Sequence, residues 1–158
     1  MTEPFFLAFP LNCTPCLTDP FDAPRPYANG RHEGLDFAAR LPDGSAATVL
    51  AAQRGVVVRV GFQRDGYGLF VRIRHDWPDG QTFVTWYGHL SRIWAREGQC
   101  VALGEPIGVA GSSGFSSGVH LHLTLQHLGR GLSGYSVRDV VNPLAYLRLR
   151  EAGGGSGI

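Results

Sequence analysis

Glycine and proline turn signals cut this chain at short intervals, and the runs between them alternate apolar and polar residues. The 22 glycines and 10 prolines fall in scattered short clusters. Punctuation this dense leaves little length for helices and favours short strands joined by tight turns. The expectation is an all-β sheet or barrel. A chain of 158 residues is most simply one domain, large enough to bury about 68–70% of its unfolded surface. Its 44% hydrophobic and 17% charged residues describe a globular chain, not a disordered one.

Taken in order, residues 4–11 read as an edge strand framed by Pro4 and Pro10. Residues 12–31 are rich in proline, Asn, Asp and Gly and read as a long irregular loop, a length that is often functional in compact domains. His32 to Ala38 enters the core as a strand on Leu35 and Phe37. After the Pro42-Asp43-Gly44 turn, Ala51 to Phe62 forms a strand around Val56, Val57 and Val58. Leu69 to His75 points Val71 and Ile73 inward and Arg72 and Arg74 outward. Trp77 to Gly80 makes a hairpin turn, with Thr82 to His89 as the return strand. Ser91 to Trp94 reads as one helical turn, and short strands follow around Val101 and Ile107 to Val109. Asn142 and Pro143 look like an N-cap and first helical residue, opening a helix through Leu144, Tyr146, Leu147 and Leu149. Gly153 to Gly157 reads as a flexible tail or linker. This gives one domain over residues 1–150 and a Gly-rich tail over 151–158.

Charge and composition exclude several classes. The net charge of +1 offers no electrostatic attraction to nucleic acid or an anionic membrane surface. No apolar run approaches the ~20 residues needed to span a bilayer. Met1 to Pro10 lacks a basic region and is broken by prolines, so it does not read as a signal peptide. The chain then stays inside, uses another export route, or begins downstream of a removed leader. Cys13 and Cys16 form a C-x-x-C around Pro15, but no βαβ pattern follows and no second pair completes a zinc ribbon. Cys100 lies in an apolar run and reads as buried packing. All three cysteines are expected to be structural or incidental.

The chemistry concentrates in three pieces. In Gly111 to Gln126 a small-residue loop runs into a strand. Alternation puts His120, His122, Thr124 and Gln126 on one face, and Leu121, Leu123 and Leu125 on the other, in the core. Two imidazoles on one face are costly unless paired or metal-bound. His32 and Asp36 are evenly spaced on an extended segment and share a face, with Gly34 between them leaving room for an ion. Imidazole and carboxylate together suit zinc. His89, in Tyr87-Gly88-His89-Leu90, ends a strand where it can reach a site. His75 and His127 match no such pattern and are expected to be structural or solvent-exposed.

In this order the pieces resemble the LytM/lysostaphin-type zinc endopeptidases, which carry H-x-x-x-D, Y-x-H-L and a Gly/Ser loop running into H-L-H. The connecting segments Ala52 to Val58, Gly98 to Val101, Gly104 to Gly108 and Asn142 to Leu144 are similar too, so the resemblance spans about residues 20–147. It implies an all-β, mainly antiparallel fold, barrel-like and of duplicated-hybrid type, with a short C-terminal helix. It also implies one zinc ion per chain, held by His32, Asp36 and His122, with His89 and His120 as the catalytic pair beside it. One of that pair would act as general base on the zinc-bound water. The other would stabilise or protonate the tetrahedral species, and the motif does not assign the two. A tyrosine shortly before the first histidine helps hold the oxyanion in family members, and Tyr27 is the positional candidate. Leu123, Thr124, Phe115 and Val119 depart from the usual residues without removing a ligand.

The activity implied is hydrolysis of peptide bonds in bacterial peptidoglycan, stem peptide or crossbridge, at the cell envelope or outside the cell. The partner would be the peptidoglycan peptide, met by a monomer. Two other classes compete: a binding module that activates other wall hydrolases, and a hybrid-barrel phosphotransfer protein using His89 and His120 as a pair. Intact His32, Asp36, His89, His120 and His122 argue against the first, and the complete H-x-x-x-D is unexplained by the second.

Overall fold

The computed structural model describes residues 2–27, 30–130 and 139–149. The Gly-rich stretch expected over 151–158 lies outside them. Strands dominate: β1 (Leu7–Ala8), β2 (Leu17–Asp19), β3 (Leu35–Ala38), β4 (Thr48–Leu50), β5 (Gly55–Gln63), β6 (Gly68–Asp76), β7 (Gln81–Ile93), β8 (Cys100–Val101), β9 (Pro106–Ala110), β10 (His120–Arg130), β11 (Val140–Val141) and β12 (Leu147–Arg148). The main sheet runs β2-β3-β10-β7-β6-β5-β8, with β11 on β10 and the β4–β9 pair attached through β7. All its pairings are antiparallel, whereas β1 and β12 pair in parallel. The all-β, antiparallel expectation holds.

Alternation decides what is buried. Leu121, Leu123 and Leu125 of β10 are fully buried, and they join Leu35, Phe37, Val71, Ile73 and Tyr87 in one core. The opposite face of β10 is covered as well. Thr124 and Gln126 lie buried there, beneath a layer in which Tyr67 stacks on Trp86 at 4.9 Å and Trp86 stacks on Phe70 at 5.5 Å. Trp86 donates its indole N–H to Gln126 Oε1 at 2.7 Å. Only the His120–His122 end of that face opens to a cleft.

β7 changes partners partway along its length. Its first part pairs with β10 and β6, while Leu90 to Ile93 pairs with β9. The bend falls at His89, whose φ of 62° is one of two positive values among the described non-glycine residues. A non-glycine residue in that region carries strain of order 1–3 kcal/mol that surrounding structure must hold in place. Here the His89 N–H donates to the Tyr67 carbonyl at 2.6 Å.

Several local expectations need correction. Ser91 to Trp94 is not a helical turn: β7 continues through Ile93 because β9 supplies its ladder partners. The C-terminal helix shrinks to one 3₁₀ turn, Pro143–Ala145. Asn142 does cap it, accepting from the Leu144 N–H at 3.0 Å, but Leu147 and Arg148 leave the turn to pair with Leu7 and Ala8. The strand expected over residues 4–11 is therefore only Leu7–Ala8, and its partner is that C-terminal segment. The proline-rich loop contains β2, which pairs with β3 and extends the sheet beside the site. Cys100 is exposed, because edge strand β8 turns it away from the core, and Cys13, Cys16 and Cys100 are all free thiols. His75 is a buried structural residue, its Nδ1–H donating to the Arg54 carbonyl at 2.6 Å and its Nε2 lying 2.9 Å from Thr85 Oγ1. His127 stacks on Phe83 at 4.4 Å and bonds Gln81 at 2.8 Å.

Candidate metal centre and catalytic cleft

β3 and β10 are neighbours in register, with Asp36 directly opposite His122. Both side chains rise on the same side of the sheet, and His32 reaches them from the segment before β3. The three donor atoms form a tight triangle. His32 Nε2 lies 3.2 Å from Asp36 Oδ1 and 3.1 Å from His122 Nδ1, and His122 Nδ1 lies 2.9 Å from Asp36 Oδ1. Ligands about 2.0–2.1 Å from a tetrahedral zinc stand roughly 3.3 Å apart, so the triangle needs only slight expansion to receive that ion. Two nitrogens and one carboxylate oxygen are also a donor set that zinc accepts. The residues fit the metal.

The rings are oriented by their other nitrogens. His32 Nδ1 lies 2.8 Å from the Pro20 carbonyl, which can only accept, so Nδ1 carries the proton and Nε2 offers its lone pair inward. His122 turns Nδ1 inward and sets Nε2 2.8 Å from Thr124 Oγ1. Burial alone would raise the Asp36 pKa, but His122 and His32, whose inward nitrogens donate to the carboxylate whenever they carry the protons that a metal would displace, outweigh it and hold the carboxyl well below the usual range. Burial lowers the His122 pKa, partly offset by Asp36. Burial also acts to lower that of His32, but its bonds to Asp36 and Pro20 turn the net shift upward.

Gly34 has a different use from the one expected. A Cβ there would lie 2.3 Å from the Leu123 carbonyl oxygen and 2.8 Å from His122 Nε2. Its missing side chain makes room for β10 and the His122 ring, not for an ion.

His89 and His120 stand beside the triangle. Their ring centroids are 4.7 Å apart, and His89 is 5.9 Å from His122. Each has its Nδ1 against a carbonyl, His89 on Ser113 at 2.7 Å and His120 on Gly118 at 2.8 Å. In each neutral ring, therefore, Nε2 is the free base. His120 Nε2 lies 3.8 Å from Asp36 Oδ2. Burial pushes His89 down to about 4, so its ring is neutral at neutral pH. The Gly/Ser loop is pinned where it supports His89. Ser113 Oγ donates to the Leu90 carbonyl at 2.5 Å and accepts from the Leu69 N–H at 3.0 Å. Gly114 and Gly68, both at positive φ, pack so closely that a Cβ on Gly114 would sit 2.3 Å from the Gly68 nitrogen.

A cleft of about 1300 Å³ opens over this centre. The proline-rich segment forms one wall, through Asp19, Pro24, Arg25 and Tyr27, and the Gly/Ser loop forms the other. Tyr27 stands at the rim, with its ring edge-to-face on Phe115 at 4.9 Å. The five expected histidine and aspartate positions thus converge, and Tyr27 lines the same cleft. Reading the sequence missed Tyr67, Ser113 and the carbonyls of Pro20 and Gly118. Alternation alone puts Thr124 on the face it occupies and assigns it no role.

The sheet brings two histidines and an aspartate to metal-ligand spacing, with two more histidines at the cleft, and so forms a candidate metal centre. Residues 30–134 match peptidase family M23, and the chain belongs to that family. It is 40% identical over 100 residues to the peptidoglycan DD-endopeptidase ShyA of Vibrio cholerae, covering 63% of this chain and 21% of that protein. It is 33% identical over 137 residues to an uncharacterized metalloprotease of Haemophilus influenzae, covering 84% of this chain and 27% of that one. The chain thus spans only about a quarter of the length of these curated relatives. Among solved structures, the catalytic domain of lysostaphin from Staphylococcus simulans superposes with a TM-score of 0.67 at 25% identity, covering 84% of this chain and 91% of that one. The catalytic domain of the prophage-encoded M23 protein EnpA from Enterococcus faecalis gives 0.63 at 32% identity, with the same coverage of 84% and 91%.

Proposed function

We propose that this chain is a zinc metalloendopeptidase that hydrolyses peptide bonds of bacterial cell-wall peptidoglycan, in the stem peptide or the crossbridge. The observation that carries the reading is the donor triangle of His32, Asp36 and His122, with edges of 2.9–3.2 Å, set in an open cleft beside two histidines tied by Nδ1. His32 Nε2, His122 Nδ1 and an Asp36 carboxylate oxygen would hold one zinc ion. Zinc, when bound, polarises a carbonyl and brings the pKa of water to about 7. His89 and His120 act at Nε2: a neutral ring takes a proton there from the attacking water, and a ring that carries a proton at Nε2, as imidazolium, stabilises the developing oxyanion or gives that proton to the departing amine. Their carbonyl partners hold Nδ1–H away from the cleft, so Nε2 is the nitrogen that meets the substrate. The Tyr27 hydroxyl, at the rim, is assigned to the oxyanion.

Residues 1–150 form one peptidase domain in this reading, working as a monomer. The site of action is the cell envelope, in keeping with relatives such as the Pseudomonas aeruginosa NlpD/LppB lipoprotein homologue, 37% identical over 119 residues. A non-catalytic activator module has no use for five intact histidine and aspartate groups. The test is zinc content in purified protein, followed by digestion of walls with different crossbridges and mass analysis of the released termini. Stoichiometric zinc and new peptide termini are expected. Zinc near zero, or walls left intact by the zinc-loaded protein, would overturn the proposal.

A further inference from the structure

His122 can present either ring nitrogen to a metal, and something must choose. Its Nε2 faces Thr124 Oγ1 at 2.8 Å, and Thr124 Oγ1 in turn contacts the Tyr67 hydroxyl at 2.9 Å. Thr124 is almost wholly buried. The Tyr67 ring is held on three sides. It packs edge-on to His122 at 5.2 Å, stacks on Trp86 at 4.9 Å, and lies where a Cβ on Gly88 would come within 2.8 Å. The same residue accepts the His89 N–H through its backbone carbonyl at 2.6 Å, at the bend of β7. Tyr67 therefore touches one residue of the donor triangle through Thr124 and one of the flanking histidines through its backbone.

We infer that Thr124 and Tyr67 are positioning residues that commit His122 to metal binding through Nδ1. The inference rests on the zinc reading above. Thr124 Oγ1 accepts the His122 Nε2–H, which leaves Nδ1, beside Asp36 and His32, as the nitrogen that gives its lone pair to a metal. The Tyr67 hydroxyl, bonded to Thr124, keeps that oxygen from rotating away. A bond of this kind, behind a metal ligand, is typically worth 10–100-fold in metal affinity.

The test uses the whole chain and zinc alone, by competition against a chromophoric chelator, with three variants. Thr124→Val keeps the shape and removes the hydroxyl, and should bind zinc about 10–100-fold more weakly. Thr124→Ser returns the hydroxyl and should recover to within about threefold of the parent. Tyr67→Phe keeps the ring packing and should weaken binding by an intermediate factor. Long-range ¹H–¹⁵N spectra of the zinc-loaded parent should place the His122 proton on Nε2. Thr124→Val binding as tightly as the parent, or Thr124→Ser binding as weakly as Thr124→Val, overturns the inference. So does a proton on His122 Nδ1. Should Thr124→Val fail to fold, Tyr67→Phe and the parent spectrum decide alone. A parent that binds no zinc refutes the metal reading itself, which is a distinct result.

Discussion

Gly34→Ala is the sharpest test of how the ligand triangle is held. The added Cβ would stand 2.3 Å from the Leu123 carbonyl oxygen, where a comfortable carbon–oxygen contact is about 3.3 Å. Relief needs β3 and β10 to part by about 1 Å, and these strands carry Asp36 and His122 as direct neighbours. Metal–ligand distances tolerate only about 0.2 Å. Overpacking of this kind costs about 1–3 kcal/mol, and the cost can surface in two places. If the metal-free variant keeps the strands together, its melting temperature falls by roughly 2–4 °C per kcal/mol. If the strands part, zinc must pull them back, and the same energy appears as about 5–150-fold weaker binding. Differential scanning calorimetry of the metal-free protein and a zinc competition titration measure the two together. Gly118→Ala is the matched control, because a Cβ there meets nothing within 4 Å. Parent-like melting combined with parent-like zinc affinity in Gly34→Ala would refute the reasoning.

Removing His122 and removing His120 should fail in different ways: His122→Ala loses the metal, whereas His120→Ala keeps zinc and loses turnover, as read by metal analysis and peptidoglycan digestion. Full activity of His120→Ala would remove its proton role. Tyr27→Phe, with the ring contact to Phe115 kept, should lower kcat roughly 100-fold if the hydroxyl serves the oxyanion; a change confined to KM on a soluble peptide would reduce it to a rim contact. His75 should make stability pH-dependent. Burial lowers it to about 4 from about 6.5 in the unfolded chain. Between those values the unfolded chain binds more protons, so stability rises with pH from 4 to 6.5 and is lost as the solution is acidified. The contribution is up to about 3 kcal/mol. His75→Gln should flatten that part of the profile in urea unfolding of the metal-free protein, and an unchanged slope would exclude it.

The residues of the site differ in how far their neighbours lie along the chain, and that distance decides which were legible. His32 and Asp36 share a face through even spacing, and so do His120 and His122. Alternation within a strand needs no knowledge of the fold, and only the antiparallel pairing of β3 with β10 was then required to bring the two sets together. The C-terminal helix fails for the opposite reason. Asn142 and Pro143 signal a helix start correctly, but Leu147 and Arg148 are claimed by Leu7 and Ala8, from the far end of the chain. Tertiary pairing overrides the local helical pattern there.

Tyr67 shows the same rule at the centre of the chemistry. It sits in Asp65-Gly66-Tyr67-Gly68, which reads as turn punctuation, and it meets Thr124 across 57 residues of sequence. Its position depends on three separate pairings: β6 with β7, β7 with β10, and the Gly/Ser loop on the Gly66–Gly68 turn. The donor atoms of a metal site are local choices, because each needs only the right side chain on the right face. The tautomer of a donor is a property of the whole sheet, since the group that fixes it arrives from another strand. Thr124 lies on the boundary between the two cases. Its face follows from alternation with His122, but its hydroxyl acquires a function only once Tyr67 is laid over it.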